Sequence, residues 1–78
     1  MNSSKNINVV IFGGNGYIGS SIIETWSEKD EHTEFFSISR SGKGRIAKPN
    51  VHYLKADVTD FEQVQSVLPE HVDYIIDC

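Results

Sequence analysis

Four glycines crowd seven positions of this chain, Gly13, Gly14, Gly16 and Gly19, between an apolar run (Val9-Val10-Ile11-Phe12) and apolar residues that return at helical spacing. Both Gly13-x-x-Gly16-x-x-Gly19 and Gly14-x-Gly16-x-x-Gly19 can be drawn. A strand, a glycine turn and a helix in that order make the setting of a dinucleotide site. Gly13 or Gly14 supplies a sharp turn, Gly16 lets the backbone approach a pyrophosphate, and Gly19 lets the helix lie on the strand. The unpaired N–H groups of the first helical turn then face the phosphates, so the anion is held without a basic side chain. A tight strand-to-helix turn that binds nothing is the plainer alternative.

A second group stands about 20 positions past the glycines, where an enzyme using NAD places an acid against the ribose 2′-hydroxyl. Ser39-Arg40-Ser41 occupies that place. An acid repels a 2′-phosphate, whereas a guanidinium flanked by hydroxyls holds one. Arg40, helped by Lys43 or Arg45, therefore points to NADP, with NAD as the alternative, unless it is only a solvated loop arginine.

The elements that must position these residues follow from periodicity. Ile18, Ile22 and Trp26 recur every four residues with Ile23 beside them, which predicts a helix over residues 16–29 with that stripe inward. Residues 28–34 are polar and form the return, and Phe35-Phe36-Ser37-Ile38-Ser39 reads as a short buried strand. Residues 41–50 carry two glycines, a proline and no helical period, so they form an irregular crossover, short for a link between parallel strands. A third strand follows over 51–56. Thr59-x-x-Glu62 is a capping box, and Phe61, Val64 and Leu68, stopped by Pro69, predict a helix over 60–67. Residues 72–77 form the fourth strand.

With 78 residues, 38% hydrophobic and 23% charged, the chain is sized for one domain that buries about 60% of its unfolded surface. No apolar run approaches the roughly 18 residues of a membrane helix, and residues 1–6 are too short and polar for a signal peptide, so a tail and a cytoplasmic location are the expectation. A net charge of −4 argues against a nucleic-acid partner, although four of the seven Lys and Arg residues fall between Arg40 and Lys48. His32, His52 and His71 lack metal-ligand spacing and read as surface or satisfied residues. Trp26 and Phe61 are core candidates. Asp73 and Asp77 share a strand parity and do not form a dyad. Cys78, the single cysteine, reads as a small buried hydrophobe.

The order β-α-β-β-α-β fits either a ferredoxin-like antiparallel sheet or one wing of a doubly wound parallel sheet. The glycine turn favours the second, an α/β partial Rossmann fold over residues 7–78 with strand order 3-2-1-4 and its ligand beyond the carboxyl ends of the strands.

Gly13-Gly14-Asn15-Gly16-Tyr17-Ile18-Gly19 resembles the nucleotide-binding signature of the extended and atypical short-chain dehydrogenase/reductases, the group that includes NAD-dependent epimerase/dehydratase-like proteins. Ala56-Asp57-Val58 is similar to the pair whose acid takes the adenine amino group in that family, although Asp57 can equally begin the turn into the second helix. Residues 72–78 match the strand that leads to a small-residue loop beside the cofactor. The resemblance implies cofactor contacts from Gly13, Gly14, Asn15, Gly16, Tyr17, Ile18, Gly19, Ser39, Arg40, Ser41, Asp57 and Val58. The family's catalytic Tyr-x-x-x-Lys is not matched: the fourth residue after Tyr17, Tyr53 and Tyr74 is Ser21, Asp57 and Cys78.

The expectation is an NADP-binding amino-terminal part, itself not catalytic, of an oxidoreductase or epimerase. A redox-sensing or scaffold protein of the same fold is the runner-up, and a free-standing phosphate-binding module the third reading. The fourth strand, apolar and without lysine or proline between Tyr74 and Ile76, is expected to pair with a second copy as a dimer.

Overall fold

A strand of consecutive apolar residues has to be covered on both faces and both edges, and Val9, Val10 and Ile11 are each fully buried. The computed structural model describes residues 7–13 and 16–78. Residues 1–6, read as a tail, and Gly14 and Asn15, read as cofactor contacts, lie outside the described residues. The elements run β1 (Ile7–Phe12), α1 (Tyr17–Lys29), β2 (Thr33–Ser39), β3 (Val51–Lys55), α2 (Phe61–Val67) and β4 (Tyr74–Asp77). All pairings are parallel in the order β3-β2-β1-β4, with Val9 opposite Phe35 on one side and Tyr74 on the other. The parallel wing is therefore the fold, and the antiparallel alternative is excluded.

Alternate residues of the strands feed two cores. On one face Val9, Ile11, Phe35 and Val51 pack with Ile23 of α1; on the other Val10, Ile38 and Ala56 pack with Val64 and Val67 of α2. The inward stripe of α1 is Gly19, Ile23 and Ser27, not the one centred on Ile18, Ile22 and Trp26. Small residues at 19 and 27 suit a helix lying close to the sheet. Ile22 and Trp26 then become flanks, with Trp26 edge-on to Phe35 at 5.4 Å, while Ile18 stays 70% exposed at the glycine end.

Helix α2 is capped by Asp60, whose Oδ1 accepts from the N–H groups of Glu62 and Gln63 at 3.1 and 3.3 Å. Thr59, the expected cap, is diverted: its N–H and hydroxyl both donate to Asp57 Oδ1. The helix stops as predicted, since Leu68 before Pro69 takes extended dihedrals (φ −67°, ψ 144°). Phe61 is 72% exposed rather than core, because the helix reaches the sheet only from Val64 onward. β4 starts two residues late. Asp73 instead accepts the Asn8 N–H, and the Asn8 side chain donates to the His71 carbonyl. His52 and His71 lie 2.7 and 2.8 Å from Glu34 and Asp73, respectively, as satisfied histidines should.

The connection from β2 to β3 contains no helix, yet it is closely fixed against the α1 face. Ile46 joins that core and its N–H donates to the Tyr53 hydroxyl at 3.1 Å; Lys48 Nζ donates to Ser27 Oγ at 3.2 Å and Asn50 Nδ2 to the Thr33 carbonyl at 2.9 Å. Gly44 lies against the Tyr53 ring so closely that a Cβ there would stand 1.8 Å from Cε1. Overpacking of this kind costs about 1–3 kcal/mol. Gly44→Ala should therefore lower the unfolding free energy by that amount in urea titrations, and unchanged stability would show that the connection is not held by this contact.

Candidate functional site

In a parallel sheet every strand delivers its carboxyl end to the same edge, and here the chain leaves β1 for α1 on one face and arrives at β4 from the other. A crevice opens where these directions part. At its floor Gly13 adopts φ +86°, its carbonyl accepts the Gly16 N–H at 3.1 Å, and the Cys78 N–H donates to the Phe12 carbonyl at 2.9 Å. A Cβ on Gly13 would stand 3.1 Å from the Cys78 carbonyl oxygen, so glycine is required there by dihedral and by proximity.

Gly16 differs. It has φ −86°, open to any residue, and a Cβ would meet nothing nearer than the Gly13 oxygen at 3.5 Å. The fold does not need glycine at this position, and the space in front of it is open. Gly16 also caps α1 without a side-chain hydrogen bond, and the first turn holds no acidic residue, leaving its positive end to an outside anion. A cradle that a Cβ would fill, in front of a helix start, fits a dinucleotide's pyrophosphate.

Two clefts run along these carboxyl ends and share Gly13 and Cys78. One, of about 250 Å³, is walled by Gly16, Tyr17, Ile18 and Gly19. The other, of about 280 Å³, is walled by Phe12, Ile38, Ser39, Arg40, Val58 and Asp77. A larger but shallow concavity of about 500 Å³ lies on the flank of α1, along Ile22 and Trp26, and holds none of the candidate residues. Tyr17 and Ile18, 83% and 70% exposed, line the first cleft, which explains why Ile18 is absent from the core.

The described candidates line these two clefts except Ser41 and Asp57, which lie beside Ser39 and Arg40, and two refinements follow. Ser39 and Ser41 are partly spent on the loop itself: their hydroxyls lie 3.4 Å apart and accept from the N–H groups of Gly42 and Lys43. One hydroxyl must donate to the other in that arrangement, so one O–H remains for a ligand. Asp57 begins the turn into α2. Its Oδ1 closes the turn with Thr59 and lies 4.0 Å from the Arg40 guanidinium, leaving Oδ2 as the oxygen that can accept from a ligand. The Thr59 hydroxyl and N–H, and to a lesser extent Arg40, hold the Asp57 carboxyl below its ordinary 3.8, so it stays charged in neutral solution.

Sequence reasoning missed Asp77 and Cys78 as cleft walls. Asp77 has no motif, and Cys78 is exposed rather than buried. Their place at the end of β4, next to β1, was the available signal.

The sequence model described as the NAD dependent epimerase/dehydratase family matches residues 9–78. The chain belongs to that family. Among solved structures, dTDP-glucose 4,6-dehydratase from Bacillus anthracis, determined in complex with NAD, is similar with a TM-score of 0.76 and 21% identity over 91% of this chain. This epimerase/dehydratase-family chain spans 26% of the length of that protein's chain. No curated protein sequence matches it.

Proposed function

We propose that the chain is the NADP-binding wing of an oxidoreductase or epimerase of this family. The observation that carries the reading is Arg40: it directly follows β2, where an NAD enzyme would place a carboxylate, its side chain is 78% exposed, and it walls the cleft beside Gly13. In this reading Gly13, Gly16 and the first turn of α1 take the pyrophosphate, Arg40 with Lys43 or Arg45 takes the 2′-phosphate, and Asp57 Oδ2 accepts the adenine amino group. The bound nicotinamide supplies hydride transfer, and groups outside these residues supply the proton chemistry.

Gly16→Val should abolish dinucleotide binding while the protein stays folded, because the fold leaves room for a side chain there and the ligand does not. Unchanged affinity of the folded variant, measured by titration, would refute the cradle. Arg40→Ala removes a charge-assisted contact worth about 1.5–3 kcal/mol, so NADPH should bind roughly ten- to a hundredfold more weakly and NADH nearly as before. Equal effects on both cofactors would remove Arg40 from the 2′-phosphate site.

The outer edge of β4 has no neighbouring strand among the described residues, and Tyr74 and Ile75 are 56% and 62% exposed. For the 78-residue chain we propose a two-fold dimer with β4 antiparallel to its copy. Light scattering at high concentration should give the dimer mass, and a monomer would refute it.

A further inference from the structure

The chain holds five aspartates, and four of them are engaged within the fold. Asp30 accepts from Thr33 and from the His32 N–H, Asp57 turns the chain with Thr59, Asp60 caps α2, and Asp73 accepts the Asn8 N–H. The fifth, Asp77, makes no hydrogen bond or ion pair through its carboxylate among the described residues. Its position is fixed all the same. It ends β4 level with Phe12 of β1, which is level with Ile38 of β2, so the three side chains form one row on the α2 side of the sheet. That row lines the cleft of about 280 Å³, with Val58 and Arg40 on its other walls.

We propose that Asp77 is a specificity-determining residue for the cofactor: it accepts a hydrogen bond from a ribose hydroxyl of the adenosine half, and so admits NAD to a cleft in which Arg40 favours NADP. The proposal rests on the dinucleotide reading above. The first argument is place. β2 and β4 flank β1 with their axes about 10 Å apart, so Arg40 and Asp77 enter the cleft from opposite sides with room between them for a sugar ring. The second is hydrogen-bond supply. A ribose hydroxyl needs an acceptor for its proton, yet a guanidinium has none, and three of the four lone pairs on the Ser39 and Ser41 hydroxyls are already taken. Arg40 occupies the place after β2 where an NAD enzyme carries its acid, and Asp77 brings a carboxylate to the same cleft from the other wall. The third is charge. In a cleft of this size a 2′-phosphate held by Arg40 lies within a Debye length of about 8 Å from the Asp77 carboxylate. The group that serves the hydroxyl therefore opposes the phosphate.

The test is titration of the full chain with NADPH and NADH, comparing the wild type with Asp77→Asn and Asp77→Ala. Asp77 is exposed and its carboxylate has no partner among the described residues, so both variants should keep the wild-type urea midpoint. Asp77→Asn removes the charge and keeps an oxygen that accepts, so NADPH should bind about threefold more tightly and NADH nearly as before. Asp77→Ala removes the acceptor as well, and NADH should then bind roughly tenfold more weakly while NADPH keeps its gain. Arg40→Ala moves the ratio of the two affinities the other way. A merely structural role would not move that ratio: equal changes for both cofactors, or none, in a wild type that binds both would overturn this proposal alone. So would a wild type that takes NADPH and no NADH. A wild type that binds neither cofactor would overturn the dinucleotide reading and this proposal with it.

Discussion

The turn at Gly13 is the constraint on which the other features depend. β1 must be flanked by β2 and β4 to bury its apolar run, which brings the end of β4 against the turn that leaves β1. The Cys78 carbonyl then occupies the space a side chain at position 13 would need, and the backbone has to swing to φ +86° to start α1. Once it has done so, Gly16 falls at the helix start with open space before it. The cradle is thus a consequence of packing three elements at one corner of the sheet.

The crossover from β2 to β3 shows how a short link can replace a helix. A helix would have covered the α1 face with its own apolar stripe; here Ile46 enters that core, Gly44 lies on the Tyr53 ring, and polar contacts reach Tyr53, Ser27 and Thr33. The backbone is consequently fixed at a few points with exposed side chains between them. That is why a segment without secondary structure can present Arg40 and Arg45 at defined positions.

Local signals made the fold and half of the site legible in the sequence. Strand, glycine turn and helix are contiguous, and the glycine turn selects the parallel order over the antiparallel one that the same element sequence allows. Errors arose where a local rule met a competing partner. Thr59 carries a sound capping box, but Asp57 engages it first and the cap passes to Asp60. Ile18 has helical periodicity with Ile22, but small residues at 19 and 27 set the buried stripe one position away. The pairings of Gly44 with the Tyr53 ring and of the Arg45 guanidinium with the Tyr17 ring join residues distant in sequence, and no periodicity announces them.

In the NADP reading proposed above, recognition of the 2′-phosphate has to rest on charge more than on hydrogen-bond geometry. Ser39 and Ser41 would have made a neutral donor pair, but the tight turn at Gly42, with φ +67° and Lys55 pressed against it, draws their lone pairs inward and leaves one O–H to offer. The guanidinium of Arg40 is mostly in water, where a single ion pair is worth little and salt weakens it further. Discrimination of useful size then requires that the phosphate be gripped at two edges or by two cations, because a bidentate contact restricts the geometry as well as adding attraction. A loop fixed by its backbone and carrying long cationic side chains meets that requirement, while a helix in the same place would have directed much of that length into the core.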